Sequence, residues 1–183
     1  LKDSSWQCEE SSDSVSCGCG TFGYMEPLTA LEIARRAHSG QRDRQGQPYI
    51  GHPVRVARYA AERAAEIGLD PDTAMIVGYL HDTIEDTDLT YEELSDALVP
   101  EIALDAIALM TRAAKGERDR PTYAEFIGHI VESGNLYAIV GKLADHDDNE
   151  DPARASGSNA GLAKRYARSR ARLTTALESL LPV

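Results

Sequence analysis

The run Ala74-Met75-Ile76-Val77-Gly78-Tyr79-Leu80 is apolar almost throughout and ends in His81-Asp82-Thr83-Ile84-Glu85-Asp86. Read as a helix, it must be buried, and the fold must cover its sides while accommodating a polar tip. A 3.6-residue period places His81 and Glu85 on one face, with Asp82 beside both Glu85 and Asp86. Four titratable groups at the tip of a buried helix are costly unless something compensates them. A bound metal ion is the usual compensation. The same residues also fit a helix that frays into a solvated acidic loop, because Asp86, Thr87 and Asp88 end a helix in either reading. The rest of the chain decides between the two.

Helical patterning fills that rest. From Pro27, the residues Leu28, Leu31, Ile33, Ala34 and Ala37 form a stripe, with Thr29 as the expected cap and Ser39-Gly40 as the stop. Gln41 to Tyr49 reads as a polar loop. His52-Pro53 opens a second helix, with Pro at the favoured first position and Val54, Val56, Ala57, Ala60, Ala61, Ala64 and Ile67 inward. Asp70-Pro71 starts the third helix, which carries the opening run. Thr90 with Glu93 is a capping box. Further helices are expected from Pro100, Pro121 and Asn135, and a last one from about Ala160 to Leu180, Arg-rich on one side. No segment shows sustained alternation with hairpin turns, and no internal repeat is visible. The expectation is an all-α fold, one compact bundle of roughly eight helices over residues 25–183.

Residues 1–24 differ in kind, being rich in Ser, Gly, Cys and acids, and read as a flexible leader, with Met25 as a candidate native start. Cys8, Cys17 and Cys19 are one thiol short of a four-thiolate zinc site. Since every Cys lies there, no disulfide framework crosses the body, and a reducing, cytoplasmic setting is expected. The net charge of -11 argues against a nucleic-acid binder, though not against a small anionic substrate met by a metal and a few local cations. No stretch approaches the roughly 20 apolar residues of a membrane span, and the opening residues do not read as a secretory signal.

Three helix ends bring candidate metal ligands: His52, the pair His81-Asp82, and Asp145 after the apolar run ending at Leu143-Ala144. This nitrogen/oxygen set without thiolate suits Mn²⁺, Fe²⁺, Co²⁺ or Mg²⁺ better than a structural zinc. Ligands of that number leave positions on an octahedral ion for water and a substrate oxygen, the layout for metal-assisted hydrolysis.

The ordered series AHSGQ from Ala37, GQPYIGHPVRVA from Gly46, GYLHDTIEDT from Gly78, ALMTR from Ala108 and KLADHDDN from Lys142 resembles the HD-domain metal-dependent phosphohydrolases. It is most similar to the hydrolase domain of RelA/SpoT-type enzymes and to the small alarmone hydrolases, across essentially the whole body. The resemblance implies an all-α fold, with His52, His81, Asp82 and Asp145 as metal ligands, usually for Mn²⁺. It implies Glu85 and Asp86 as the acidic pair that handles the attacking water. Asn149 and, more loosely, Tyr166 match substrate contacts. The implied substrate is a small phosphorylated nucleotide, guanosine tetra- or pentaphosphate, cleaved at its 3′ diphosphate to release pyrophosphate. Nothing in these 183 residues leaves room for a synthetase domain.

The chain also departs from that pattern. Where the family carries adjacent Arg-Lys, this loop reads Arg42-Asp43-Arg44, so an acid replaces a guanidinium. After Asp145 the family has Arg-x-His-Asn, and this chain has His146-Asp147-Asp148-Asn149. Arg44 is the expected phosphate contact of the loop, with Arg42 a weaker candidate. Lys142 fits either an ion pair or a phosphate contact. His38 is expected to be buried and hydrogen-bonded, His129 structural or exposed, and His146 exposed, since one residue beyond Asp145 turns about 100° around a helix. Tyr49 and Tyr123 fit pocket walls or core. The competing functions are a phosphatase for nucleoside monophosphates or other nucleotides, and a nucleotide-binding sensor without turnover. An HD-type iron oxygenase needs further His ligands, which only His129 and His146 offer.

Overall fold

A computed structural model describes residues 25–113, 119–152 and 160–181. The expected leader, its three Cys and parts of two loops lie outside these residues. The described chain runs α1 (Pro27–Ala37), α2 (Gly51–Glu66), α3 (Pro71–Leu80), α4 (Thr83–Asp86), α5 (Tyr91–Asp96), α6 (Glu101–Met110), α7 (Tyr123–Ser133), α8 (Leu136–Asn149) and α9 (Ala160–Leu180). Among the described residues there is no strand, only an isolated bridge between Arg42 and Pro48 in the α1–α2 loop. No described helix is long and apolar enough to cross a membrane.

Local chemistry explains most boundaries. Asp70 caps α3, its carboxylate accepting the Thr73 N–H at 2.9 Å with Pro71 in the first turn. Asn135 caps α8 through the Ala138 N–H, and Thr90 with Glu93 forms the expected box on α5. α1 starts at Pro27, as the pattern gave, with Glu26 and not Thr29 at the cap position, and two other starts differ from the sequence expectation. α2 begins at Gly51. Pro53 therefore sits third in α2, where its missing N–H costs nothing because first-turn donors have no intrahelical partner. A second capping box, Thr122 with Glu125, starts α7 at Tyr123, two residues after Pro121.

Two helices form the centre. α3 is buried on nearly every side, and α8 runs beside it, flanked by α2, α6, α7 and α9. α2 lies so close to α3 that a β-carbon on Gly78 would stand 2.4 Å from the Ala57 α-carbon and 2.6 Å from its nitrogen. Those are backbone atoms and cannot step aside, so Gly78→Ala must part the helices. The overpacking should cost about 3 kcal/mol. Better helix propensity returns only about 1 kcal/mol. The net loss of about 2 kcal/mol should lower Tm by about 4–8 °C in a thermal melt. The edges of two expected stripes fall outside the core: Leu28 and Val54 are exposed, while Ala30, Leu31, Ala34, Val56 and Ala57 are buried.

Candidate active site

The apolar helix does not continue through the acidic stretch. It stops at Leu80, where the Thr83 hydroxyl donates to the Leu80 carbonyl at 2.7 Å, and the chain re-forms as the short α4. A side chain competing for backbone groups is a common helix stop. The single continuous helix expected from periodicity is thus two pieces, with His81 and Asp82 at the break.

Four of the expected residues meet there. His52 Nε2, from the first turn of α2, lies 3.4 Å from Asp82 Oδ2 and 3.3 Å from Asp145 Oδ1. His81 Nε2 lies 3.0 Å and 3.9 Å from the same two oxygens. The two imidazole centroids are 5.2 Å apart. One ligand atom each from His52, His81 and Asp82 falls within 4.8 Å of the others, a group that can hold a metal ion.

The tautomers can be assigned from the outer ring nitrogens. His81 Nδ1 faces the Gly78 carbonyl at 2.9 Å and His52 Nδ1 faces the Asp148 carboxylate at 2.6 Å. Both partners only accept, so both Nδ1 atoms carry the proton. In its neutral form each ring aims an Nε2 lone pair at two carboxylates, and His81 Nε2 is buried without a hydrogen-bond partner. Converging lone pairs and carboxylates require a cation between them. A proton supplies part of that charge at His52. Burial opposes its charge, but Asp145 and Asp82 raise its pKa to about 9. Burial likewise opposes ionisation of Asp82 and Asp145, yet His81 and His52 hold the first, and Lys142 and His52 the second, well below the usual carboxylate range. The donor set fits a divalent metal, and the outer N–H bonds are the kind that orient metal-binding imidazoles.

Glu85 and Asp86 stand on α4 beside this group. Burial raises both carboxyls above their ordinary range, and the charge of Asp82 adds to the effect. Glu85 is also held by two groups that sequence reasoning missed: the Arg112 N–H at 3.1 Å and the Arg120 guanidinium at 3.2 Å. Tyr49 is likewise more than a wall. Its hydroxyl donates to Asp82 Oδ2 at 2.6 Å and approaches Asp86 Oδ2 at 3.4 Å, joining the two acids. His38 is buried, with Nδ1 on Gln41 Oε1 at 2.9 Å and its ring against Tyr49, as expected.

The expected substrate contacts divide. Lys142 is buried and donates to Asp145 Oδ2 at 2.7 Å, with its ammonium 5.3 Å from the Phe126 ring centroid. Asn149, one turn on, donates to Asp145 Oδ1 at 2.5 Å. In the loop, the Arg42 guanidinium donates to the Gly46 carbonyl at 2.7 Å. Asp43 turns inward on its own loop, accepting the N–H groups of Gln45 and Gln47, both at 2.9 Å. Its carboxylate closes a turn. Arg44 is exposed and near enough to Tyr166 to act on it electrostatically.

His146 corrects an expectation. It is fully buried, with Nε2 2.8 Å from the Tyr123 hydroxyl and its ring against Tyr166. Burial lowers its pKa to about 4, so it is neutral near pH 7. The 100° turn away from Asp145 leads toward α7 and α9 and not to solvent. The basic face of α9 is partly engaged too: Arg170 bridges Asp147 and Glu150, and the Arg165 guanidinium lies 4.9 Å from the Tyr123 ring centroid.

A family model described as HD domain matches residues 49–150, which contain every candidate ligand. The chain belongs to the HD domain family. It is 34% identical over 122 residues to a guanosine-3′,5′-bis(diphosphate) 3′-pyrophosphohydrolase of Aquifex aeolicus, an alignment covering 66% of this chain and 16% of that protein. It is 38% identical over 123 residues to a GTP pyrophosphokinase of Streptomyces coelicolor, covering 66% of this chain and 14% of that one. The chain thus spans less than a fifth of the length of these curated relatives. The structure of a metazoan ortholog of SpoT that hydrolyses ppGpp superposes with a TM-score of 0.64 at 21% identity, covering 88% of this chain and 90% of that one. That likeness confirms the all-α HD-domain fold.

Proposed function

We propose that this HD-domain chain is a metal-dependent phosphohydrolase acting on a small phosphorylated nucleotide. The favoured substrate is guanosine 3′,5′-bis(diphosphate), cleaved at the 3′ diphosphate to release pyrophosphate. The observation that carries the reading is the convergence of two imidazole lone pairs with Asp82 and Asp145, beside two carboxyls whose pKa values burial has raised. Relatives named for the same reaction support it. The placement of all three Cys outside the matched region fits a reducing, cytoplasmic setting.

A divalent ion held by His52, His81, Asp82 and Asp145, with Mn²⁺ the first choice, supplies Lewis acidity toward water and a phosphoryl oxygen. The chain does the rest. Glu85 and Asp86 orient the attacking water and take its proton, and their raised pKa values make them stronger bases near neutral pH. The Tyr49 hydroxyl keeps Asp82 and Asp86 in register. Lys142 places a buried positive charge behind Asp145, and Arg44, across from Tyr166, meets an outer phosphate. Asn149 fixes Asp145 through its side-chain amide.

Metal binding has a definite pH dependence in this account. An ion on Nε2 must displace the proton that keeps His52 charged below about 9. Apparent metal affinity should therefore rise by about tenfold per pH unit toward pH 9 and level off above it. Titration calorimetry at several pH values checks this, and a flat profile would exclude His52 as a ligand.

A second reading keeps the mechanism and changes the substrate to a nucleoside monophosphate or another nucleotide. It is favoured by the α1–α2 loop, where Arg42 and Asp43 are tied to their own backbone and Arg44 is exposed on the side of Tyr166. A panel of phosphorylated nucleotides assayed with Mn²⁺ separates the readings. The first predicts pyrophosphate from guanosine 3′,5′-bis(diphosphate), and the second orthophosphate from monophosphates. Binding without any product would mark a sensor.

A further inference from the structure

Asp148 is the most buried carboxylate in the described part of the site, with no exposed surface, yet it faces away from the point where the other acids converge. Its Oδ2 accepts the His52 Nδ1–H at 2.6 Å. Its Oδ1 accepts Arg55 Nε at 2.5 Å, and a second guanidinium nitrogen stands 3.3 Å from Oδ2. His52 and Arg55 are three residues apart on α2, and Asp145 and Asp148 are three apart on α8, so each pair shares one helix face. The result is two rungs between α2 and α8, His52 to Asp145 and Arg55 to Asp148, with the short His52–Asp148 bond as the diagonal. A buried carboxylate without compensation would be costly. Arg55 meets Asp148 from a half-buried position and offsets that cost to folding.

We propose that Asp148 is a positioning residue for metal binding. It acts through His52, holding the proton on Nδ1 and the ring at the angle that turns Nε2 toward Asp82 and Asp145. The proposal rests on His52 being a metal ligand. It adds that the ligand's tautomer and aim are set from the opposite helix by a residue that touches neither ion nor substrate. A carboxylate in this role typically changes metal affinity by about 10–100-fold when removed.

The test compares Asp148→Asn, Arg55→Met and the double variant with the unaltered chain, using Mn²⁺ titration and ¹⁵N spectra of the zinc-loaded, histidine-labelled protein. Asp148→Asn is expected to weaken Mn²⁺ binding by about 10–100-fold. The protected His52 Nδ1–H resonance should also be lost or shifted. Arg55→Met removes the α2–α8 ion pair but leaves the carboxylate on His52, so its Mn²⁺ affinity should stay within about threefold of the unaltered chain, even with a lower Tm. If Arg55→Met loses as much affinity as Asp148→Asn, the role of Asp148 is to brace the helices and the proposal is overturned. Unchanged affinity and an unchanged Nδ1–H signal in Asp148→Asn overturn it as well. The double variant removes both charges of the ion pair together. If Asp148→Asn alone does not fold, the double variant must show the same affinity loss for the proposal to stand. Failure of the unaltered chain to bind Mn²⁺ would refute the underlying metal site and is distinguishable from all of these outcomes.

Discussion

Asp82→Ala should abolish metal binding and turnover together while leaving the protein folded. Asp82 touches three partners: Oδ2 lies 3.0 Å from His81 Nε2, 3.4 Å from His52 Nε2, and accepts the Tyr49 hydroxyl at 2.6 Å. Removing it takes one of two carboxylates from the cation site and leaves two imidazoles facing each other. Lewis-acid stabilisation of a phosphoryl transition state is worth several kcal/mol. Losing about 4 kcal/mol lowers the rate by about 1,000-fold. The side chain lies outside the apolar core, so the helical circular dichroism should persist. Metal titration and a turnover assay on the same preparation check the prediction. Retained metal with lost turnover would move Asp82 from ligand to base.

Glu85→Gln separates the water-handling step from the metal. The substitution keeps the side chain's shape and its bond from the Arg112 N–H, but removes the charge and the basicity. Loss of a general base typically costs about 100–10,000-fold in rate. Metal affinity should change little, because Glu85 belongs to α4 and makes no contact with His52 or His81 in the hydrogen bonds and ion pairs of the structure. Glu85 also anchors Arg120 at 3.2 Å, so a loss of activity has a second explanation, release of Arg120 from α4. Arg120→Met decides between them. A small effect from Arg120→Met beside a large one from Glu85→Gln assigns the role to the carboxylate. Equal losses assign it to the Arg120 contact. Full activity in Glu85→Gln contradicts the assignment outright.

The parts of this structure that were legible in the sequence are those governed by short-range rules. The α3 cap at Asp70, the α5 capping box and the α8 cap at Asn135 depend on groups three residues apart. The polar end of the buried helix was visible because apolar residues give way to acids within a single turn. What stayed hidden depends on which face of a helix is covered, and by what. The burial of His146 was missed because one buried face was assumed for α8. The helix is enclosed by α2, α3, α6, α7 and α9, so a residue turned 100° from Asp145 meets Tyr123 and Tyr166. Asp148 meets His52 across 96 residues of chain, and Tyr49 meets Asp82 across 33. No local pattern encodes such pairs. Asp43 read only as an acid in place of a guanidinium, and its Oδ1 closes its own turn by accepting two backbone N–H groups. In each instance the residue type was informative and its partner was not.

In the proposed function, His52, His81, Asp82 and Asp145 form one divalent-metal site whose occupancy switches on phosphohydrolysis. Adding Mn²⁺ back to chelator-stripped protein, with pyrophosphate release from guanosine 3′,5′-bis(diphosphate) followed at each addition, tests it most directly. No turnover is expected in the stripped protein, then activity that rises with Mn²⁺ and saturates as one site per chain fills. Pyrophosphate release from fully stripped protein would contradict the metal site. A chain that binds Mn²⁺ yet releases nothing at saturation would contradict the proposed hydrolysis of this substrate.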